Sequence, residues 1–382
     1  MHPSTATIKQ CAFLHLRKPS VTSTICNEYK DVLDSWPDSK HQLPLVYSPK
    51  YNITFFGIEK LHPFDSAKFG KIVQALQTQC SIKSSQFVTP KEADLQMLSD
   101  VHTETYLNKI LHSSWTVAQV TELAPLVSLP NWLLQWRVIS PMRHHVLPHQ
   151  ISPMRYHVGG TMAAAGLAME YGWAINLGGG MHHAYSSAGM GWCPFDDIYL
   201  AVRKLRKVSG GEVKRVLYID LDAHQGNGVE RDKLSHKDED LIILDVFNAG
   251  IFPKDYEANP AINIAVELRS GVSGNSYLQH LEEALTKAGQ DFGQPDLVFY
   301  NAGTDVLTGD PLGRMDVDVQ SVMKRDEMVW RHALEVARAP IVMVLSGGYS
   351  KNSAAVVTDS IRNLMEKFDL LSKGCGQQSH VT

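Results

Sequence analysis

The chain has 382 residues, 44% hydrophobic and 20% charged, with a formal net charge of −4. That length suits one large α/β domain or two ordinary ones, and the scattered Lys and Arg argue against direct nucleic-acid binding. Five Cys without paired spacing exclude a disulfide framework and favour a reducing compartment; no apolar run reaches the length of a transmembrane segment.

Residues 1–40 are rich in Ser and Thr and carry no acid before Glu28. They read as a disordered N-terminal extension, with a mitochondrial presequence as the alternative. A short strand over 43–46 precedes the Ser48-Pro49 turn. Phe69, Ile72, Val73 and Leu76 give 66–79 a helical apolar face. A strand and turn follow at 87–90. Helices begin at 92–98 and span 102–111. His62 suits an active-site rim or a solvent-exposed position equally.

ISPMRHHV at 139–146 recurs as ISPMRYHV at 151–158, an offset of 12 residues. Two copies make no solenoid, so a local duplication carried as a surface loop is expected. His144-His145 within it is assigned no metal role. A small-residue helix follows over 161–170. The apolar strand 173–177 then runs into Gly178-Gly179-Gly180-Met181-His182-His183, where the glycines permit a tight turn or a close approach. Trp192, Cys193, Pro194 and Phe195 offer an apolar wall, and Asp196-Asp197 can cap a helix over 198–208.

The strand 213–221 delivers Asp220, Asp222 and His224. At a spacing of two on extended backbone these share one face. Such crowding needs a cation or a strong hydrogen-bond partner, and Asp and His suit Zn²⁺; the plain alternative is a polar turn. Gly226, Asn227 and Gly228 break the loop that follows. Further strands are expected at 241–247 and 262–268, with Ile251-Phe252-Pro253 placed to line a pocket mouth, and a helix at 276–287. The buried strand 297–300 ends in Asn301-Ala302-Gly303-Thr304-Asp305. Asp305 is the natural third ligand and Asp310 its rival. After a helix over 326–338, the strand 341–345 ends in Ser346-Gly347-Gly348-Tyr349. The Tyr349 hydroxyl can serve a developing oxyanion, or the ring can simply plug a gap.

This alternation predicts an α/β fold: a single open, mainly parallel sheet with helices on both faces. Four strand exits carry the polar groups, where ligands bind in open α/β sheets.

In order and spacing, GGGMHHAYSSAGMGWCPFDD, YIDLDAHQGNG, NAGTDVLTGDPLG and SGGY closely resemble the zinc-dependent histone deacetylases. PLVYSPKYNITFFGIEKLHPFD at 44–65 is most similar to the class IV members. The resemblance implies an arginase/deacetylase-like fold, with 41–370 as a deacetylase-like catalytic domain; the glycines and polar close of 371–382 read as a flexible tail. It implies Asp222, His224 and Asp305 as ligands of one catalytic Zn²⁺. His182 and His183 match the tandem histidines, backed by Asp220 and Asn227, and Tyr349 matches the catalytic tyrosine. Many class I relatives carry Asp where Asn227 stands. Gly191, Trp192 and Leu312 would form the substrate tunnel, and a structural K⁺ would lie near Asp220, Asp222 and His224.

The implied activity is hydrolysis of N6-acyl-lysine amides in proteins, with long-chain fatty-acyl groups preferred. Nucleus and/or cytoplasm, corepressor-type protein partners and a monomer complete the expectation. The rivals are an acetylpolyamine or other small-amide hydrolase, marked by an acidic rim, and a binuclear arginase-like hydrolase. The neutral Gln225 and Asn227 speak against the latter. A non-catalytic acyl-lysine-binding scaffold is the last alternative.

Overall fold

Among the described residues, largely apolar runs build seven strands: β1 (Leu45–Val46), β2 (Trp173–Asn176), β3 (Val216–Asp220), β4 (Leu241–Asn248), β5 (Ile264–Leu268), β6 (Leu297–Asn301) and β7 (Ile341–Val344). In the computed structural model they form one sheet in the order β1-β2-β7-β6-β3-β4-β5. Every pairing is parallel. Parallel sheets are covered on both faces, which is why the inner strands read as nearly continuous apolar runs; the edge strand β5 (IAVEL) is half exposed. The structure describes residues 16, 19–38, 41–53, 63, 65, 67–122 and 146–371; His62, His144-His145 and the tail beyond 371 lie outside them.

The helices are α1 (Pro19–Glu28), α2 (Lys68–Gln79), α3 (Leu95–Leu98), α4 (Glu104–His112), α5 (Ser114–Val120), α6 (Val146–Tyr171), α7 (Asp197–Val208), α8 (Asn227–His236), α9 (Gly274–Asp291), α10 (Val319–Arg331) and α11 (Ser353–Lys367). Strand alternation divides the core in two. Val216 and Tyr218 of β3, with Leu297 and Phe299 of β6, pack on the α6, α7 and α1 side. Leu217, Ile219, Val298 and Tyr300 face the opposite layer, with α2, α9, α10 and α11. None of the described helices is long and apolar enough to cross a membrane.

Four expectations are corrected. Part of residues 1–40 is ordered: α1 packs against α6, and Ile25, Tyr29, Val32 and Leu33 are buried. The second copy of the repeat is helix rather than loop, because α6 runs through it with Pro153 inside. Its buried Met154, His157, Val158 and Met162 share one helical face, and that packing outweighs the proline. The chain after Gly226 enters α8 at once rather than continuing as a loop. The helix expected over 326–338 is α10, which begins at Val319 behind an Asp318 cap to Ser321 N. It gives way to wider π-type turns over His332–Ala337.

Candidate metal centre and active site

β2, β7, β6 and β3 are consecutive in the sheet. The four loops leaving their carboxyl ends are therefore neighbours, although they are far apart in the chain. Register reinforces this, since Asp220 at the end of β3 pairs with Asn301 at the end of β6 and Asp245 in β4.

Beyond β3 and β6, Asp222, His224 and Asp305 place their ligand atoms within 4.8 Å of one another, all three buried. His224 Nδ1 lies 3.0 Å from Asp222 Oδ1 and 2.8 Å from Asp305 Oδ2. Backbone donors aim the two carboxylates: Gly347 N donates to Asp222 Oδ2 at 2.8 Å and Ala223 N to Asp305 Oδ1 at 2.8 Å. A Cβ on Gly347 would stand 2.6 Å from Asp222 Oδ2 and 2.6 Å from Asp305 Oδ2, so a side chain there would fill the metal site. Burial and the neighbouring Asp222 push the Asp305 carboxyl up to about 7. Burial opposes charge on His224, but hydrogen bonds to Asp222 and Asp305 outweigh it and raise the imidazole to about 10. Two buried carboxylates this close to each other and to an imidazole favour a cation between them. Two carboxylates and an imidazole are a donor set that fits Zn²⁺ with a coordination position left open.

Asp310 is not in this cluster. Its Oδ2 accepts from Tyr349 N at 2.7 Å and Ser350 N at 3.0 Å. Its Oδ1 accepts from Leu312 N at 3.0 Å and Gly313 N at 3.1 Å. It therefore ties the Tyr349 loop to the Leu312 loop.

The β2 exit turns through Gly179 and Gly180, both with positive φ, +73° and +80°, where a side chain would be strained. Asp197 holds this turn, accepting from Gly180 N at 3.0 Å and Met181 N at 2.7 Å. Asp196 supplies the α7 cap through Tyr199 N. The turn delivers His182 and His183, whose ring centroids are 4.0 Å apart. His182 Nδ1 lies 2.8 Å from Asp220 Oδ2. Asp220 also accepts from the Tyr218 hydroxyl at 2.6 Å and from Asn301 Nδ2 at 2.9 Å. Burial opposes charge on His182, yet the Asp220 and Asp222 carboxylates prevail and raise it to about 9. His183 Nδ1 instead meets Asn227 Oδ1 at 2.9 Å. Burial, then the charges of His182 and His224, hold His183 well below its ordinary value. Adjacent histidines with different partners thus titrate in opposite directions.

Tyr349 stands across from them, its ring centroid 6.2 Å from that of His224. Burial and the Asp222 and Asp305 charges keep its hydroxyl protonated. Two cavities meet here. A mouth of about 350 Å³ is lined by Trp192, Phe252, Leu312 and Arg314, among others. An inner chamber of about 50 Å³ is lined by Ile53, Phe69, Met154, His157 and Leu345, among others. His183, Gly191, Trp192 and Tyr349 border both. Trp192 and Phe252 supply aromatic walls, with Phe252 5.0 Å from the His183 ring between centroids.

Three supporting residues escaped the sequence reading. His157 takes Gly179 N on Nδ1 at 2.9 Å, so its Nε2–H faces Tyr51 O at 3.2 Å. Burial keeps it neutral, down to about 3. Buried Lys68 donates to Ser346 O at 2.6 Å and Gly347 O at 3.0 Å, and burial lowers it to about 8 against the pull of Asp305 and Asp222. Buried Arg325 donates to Leu221 O at 3.1 Å and Gly303 O at 2.5 Å, the carbonyls just before Asp222 and Asp305. The signal for both cations was helical spacing: Lys68 shares a face with Ile72 and Leu76, and Arg325 with Val322 and Val329.

The histone deacetylase domain model matches residues 62–365. The chain is 46% identical over 327 residues to histone deacetylase 2 of Arabidopsis thaliana, covering 85% of this chain and 79% of that one. It is 26% identical over 316 residues to the acetoin utilization protein AcuC of Bacillus subtilis, covering 80% and 76%. Among solved structures, an acetylpolyamine aminohydrolase from Burkholderia pseudomallei superposes with a TM-score of 0.63 at 17% identity, over 84% of this chain and 98% of that one. That likeness concerns the fold, which is of the arginase/deacetylase type. Family match and site geometry agree, and the chain belongs to the histone deacetylase family.

Proposed function

We propose that the protein is a zinc-dependent hydrolase of N6-acyl-lysine amides in proteins. The observation that carries this reading is the buried Asp222–His224–Asp305 cluster bordered by His183 and Tyr349 at the inner end of an aromatic-walled mouth. Asp222, His224 and Asp305 would hold Zn²⁺, which when bound polarises a carbonyl and activates water. His183 keeps its proton on Nδ1, facing Asn227, so Nε2 is free to take a proton from the attacking water and return it to the departing lysine amine. His182, charged against Asp220, stabilises negative charge nearby. The Tyr349 hydroxyl donates to the oxyanion as the amide carbon becomes tetrahedral. Trp192 and Phe252 flank the lysine methylenes and exclude water, which favours the uncharged acyl-lysine stem.

Class IV membership and a preference for long acyl chains extend this reading. The apolar wall that Ile53, Phe69, Met154 and Leu345 give the inner chamber supports the latter; its volume of about 50 Å³ takes the first carbons of such a chain and must widen for the rest. Each methylene buried there would add about 0.8 kcal/mol. Lys254 and Arg314 outnumber Glu122 at the mouth, a balance that favours protein lysines over cationic polyamines. A K⁺ near Asp220, Asp222 and His224, a monomeric state, corepressor-type partners and a nuclear and/or cytoplasmic location rest on the family resemblance. Turnover by the zinc-loaded protein of one peptide carrying acetyl-, octanoyl- or myristoyl-lysine, beside acetylated spermidine, tests the proposal. Rates that rise with chain length are expected. Equal rates on the three peptides refute the acyl preference, and faster turnover of the polyamine refutes the protein-lysine reading.

A further inference from the structure

The group behind Asn227 is itself a carboxylate. Asn227 Nδ2 donates to Asp255 Oδ2 at 3.0 Å while Asn227 Oδ1 faces His183 Nδ1 at 2.9 Å. Met190 Sδ, 3.7 Å from the same Nδ2, is its other neighbour. Arg231 grips Asp255 with both edges of its guanidinium, Nε to Oδ2 at 2.5 Å and Nη2 to Oδ1 at 2.7 Å. Such a fork leaves the carboxylate little freedom. Asn227 and Arg231 stand four residues apart on α8, so one helical face presents both to Asp255. The backbone of Asp255 is pinned as well: its N donates to Gln225 Oε1 at 3.0 Å and its O accepts from Gln225 Nε2 at 3.1 Å.

An amide presents two unlike ends, and nothing in Asn itself decides which faces the histidine. Turned over, the Asn227 amide would set its oxygen against the Asp255 carboxylate and its NH₂ against His183 Nδ1. Asp255 excludes that arrangement. We infer that Asp255, clamped by Arg231, is a positioning residue that orients the Asn227 amide and thereby holds His183 as the Nδ1–H tautomer with Nε2 free. The inference also accounts for the neutral side chain at 227: an Asp there would confront the Asp255 carboxylate at hydrogen-bonding distance. It rests on the hydrolase reading for its consequence, although the tautomer itself does not.

The test uses the full-length protein with three changes: Asn227→Asp, the exchange Asn227→Asp with Asp255→Asn, and Asp255→Ala. Asn227→Asp should lower kcat on an acyl-lysine peptide by about tenfold or more with KM little altered, a loss in the range for partners that orient active-site ligands. The exchange restores one donor facing one carboxylate, and kcat should return to within about threefold of the parent, a difference under 1 kcal/mol. ¹⁵N NMR of the metal-free, histidine-labelled protein, with His183 assigned through His183→Gln, should show the Nδ1–H tautomer in the parent and its loss in Asp255→Ala. Parental activity in Asn227→Asp, no recovery in the exchange, or an unchanged tautomer in Asp255→Ala would each overturn the inference. A parent with no acyl-lysine turnover would defeat the proposed function instead, and the NMR comparison would still decide the role of Asp255.

Discussion

Arg325→Met would remove the cation beneath the metal centre while keeping most of its volume. The guanidinium makes three buried bonds: to Leu221 O at 3.1 Å, to Gly303 O at 2.5 Å and to Asp326 Oδ1 at 2.8 Å. Hydrogen bonds to a charged group contribute about 1.5–3 kcal/mol each, but these three are not independent, since Asp326 keeps donors from Tyr300 and Ser360. A loss of about 3–5 kcal/mol, the range for breaking a buried ion pair from one side, is expected. The two carbonyls lie one and two residues before Asp222 and Asp305, so both ligand loops lose their common anchor. Zinc affinity should fall by about 10- to 100-fold, as it does when outer partners of metal ligands are removed. Urea unfolding of the metal-free protein measures the first effect, and competition with a chromophoric chelator measures the second. A stability loss below about 0.5 kcal/mol, within the range of ordinary surface changes, would refute the energetic argument. A full stability loss with zinc affinity unchanged would refute the claim that Arg325 positions the ligands.

Tyr349→Phe should lower kcat by about 10²–10³-fold, the usual effect of deleting one oxyanion donor, with thermal stability unchanged because the ring remains; comparable turnover in the two proteins would remove Tyr349 from the reaction. Buried His102 accepts Asp196 N on Nε2 at 3.0 Å, and burial lowers it to about 4. The unfolded chain therefore binds a proton that the folded chain refuses, and stability should fall as pH drops from about 6.5 towards 4, by up to about 1.4 kcal/mol per unit. Urea midpoints of the metal-free protein across that window should slope less steeply in His102→Gln, and parallel slopes would contradict the assignment.

The legible parts of this fold share a physical cause. A strand buried on both faces must be apolar throughout, so β2, β3, β6 and β7 announce themselves, and the polar residues that end each run mark where it leaves the core. The amphipathic α2 and α9 were visible for the complementary reason. α8 was hidden because its buried face is polar: Asn227, Glu230 and Asp232 are all buried, which erases the apolar period. α6 was hidden by Pro153 and α1 by a polar composition, and in both cases tertiary packing outweighs local preference.

By itself the sequence determined that four strand exits carry chemistry, that Asp222 and His224 follow the end of one buried strand, and that His182, His183 and Tyr349 follow glycine-released turns. These features depend on local spacing, which the chain order records. The sequence also preferred Asp305 to Asp310 as the third ligand, but only the tertiary structure decided that Lys68 and Arg325 lie beneath the cluster and that Asp255 stands behind Asn227. Those relations depend on which loops meet once β2, β7, β6 and β3 lie side by side. Segments distant in sequence then come within hydrogen-bond reach, and spacing along the chain carries no trace of that distance.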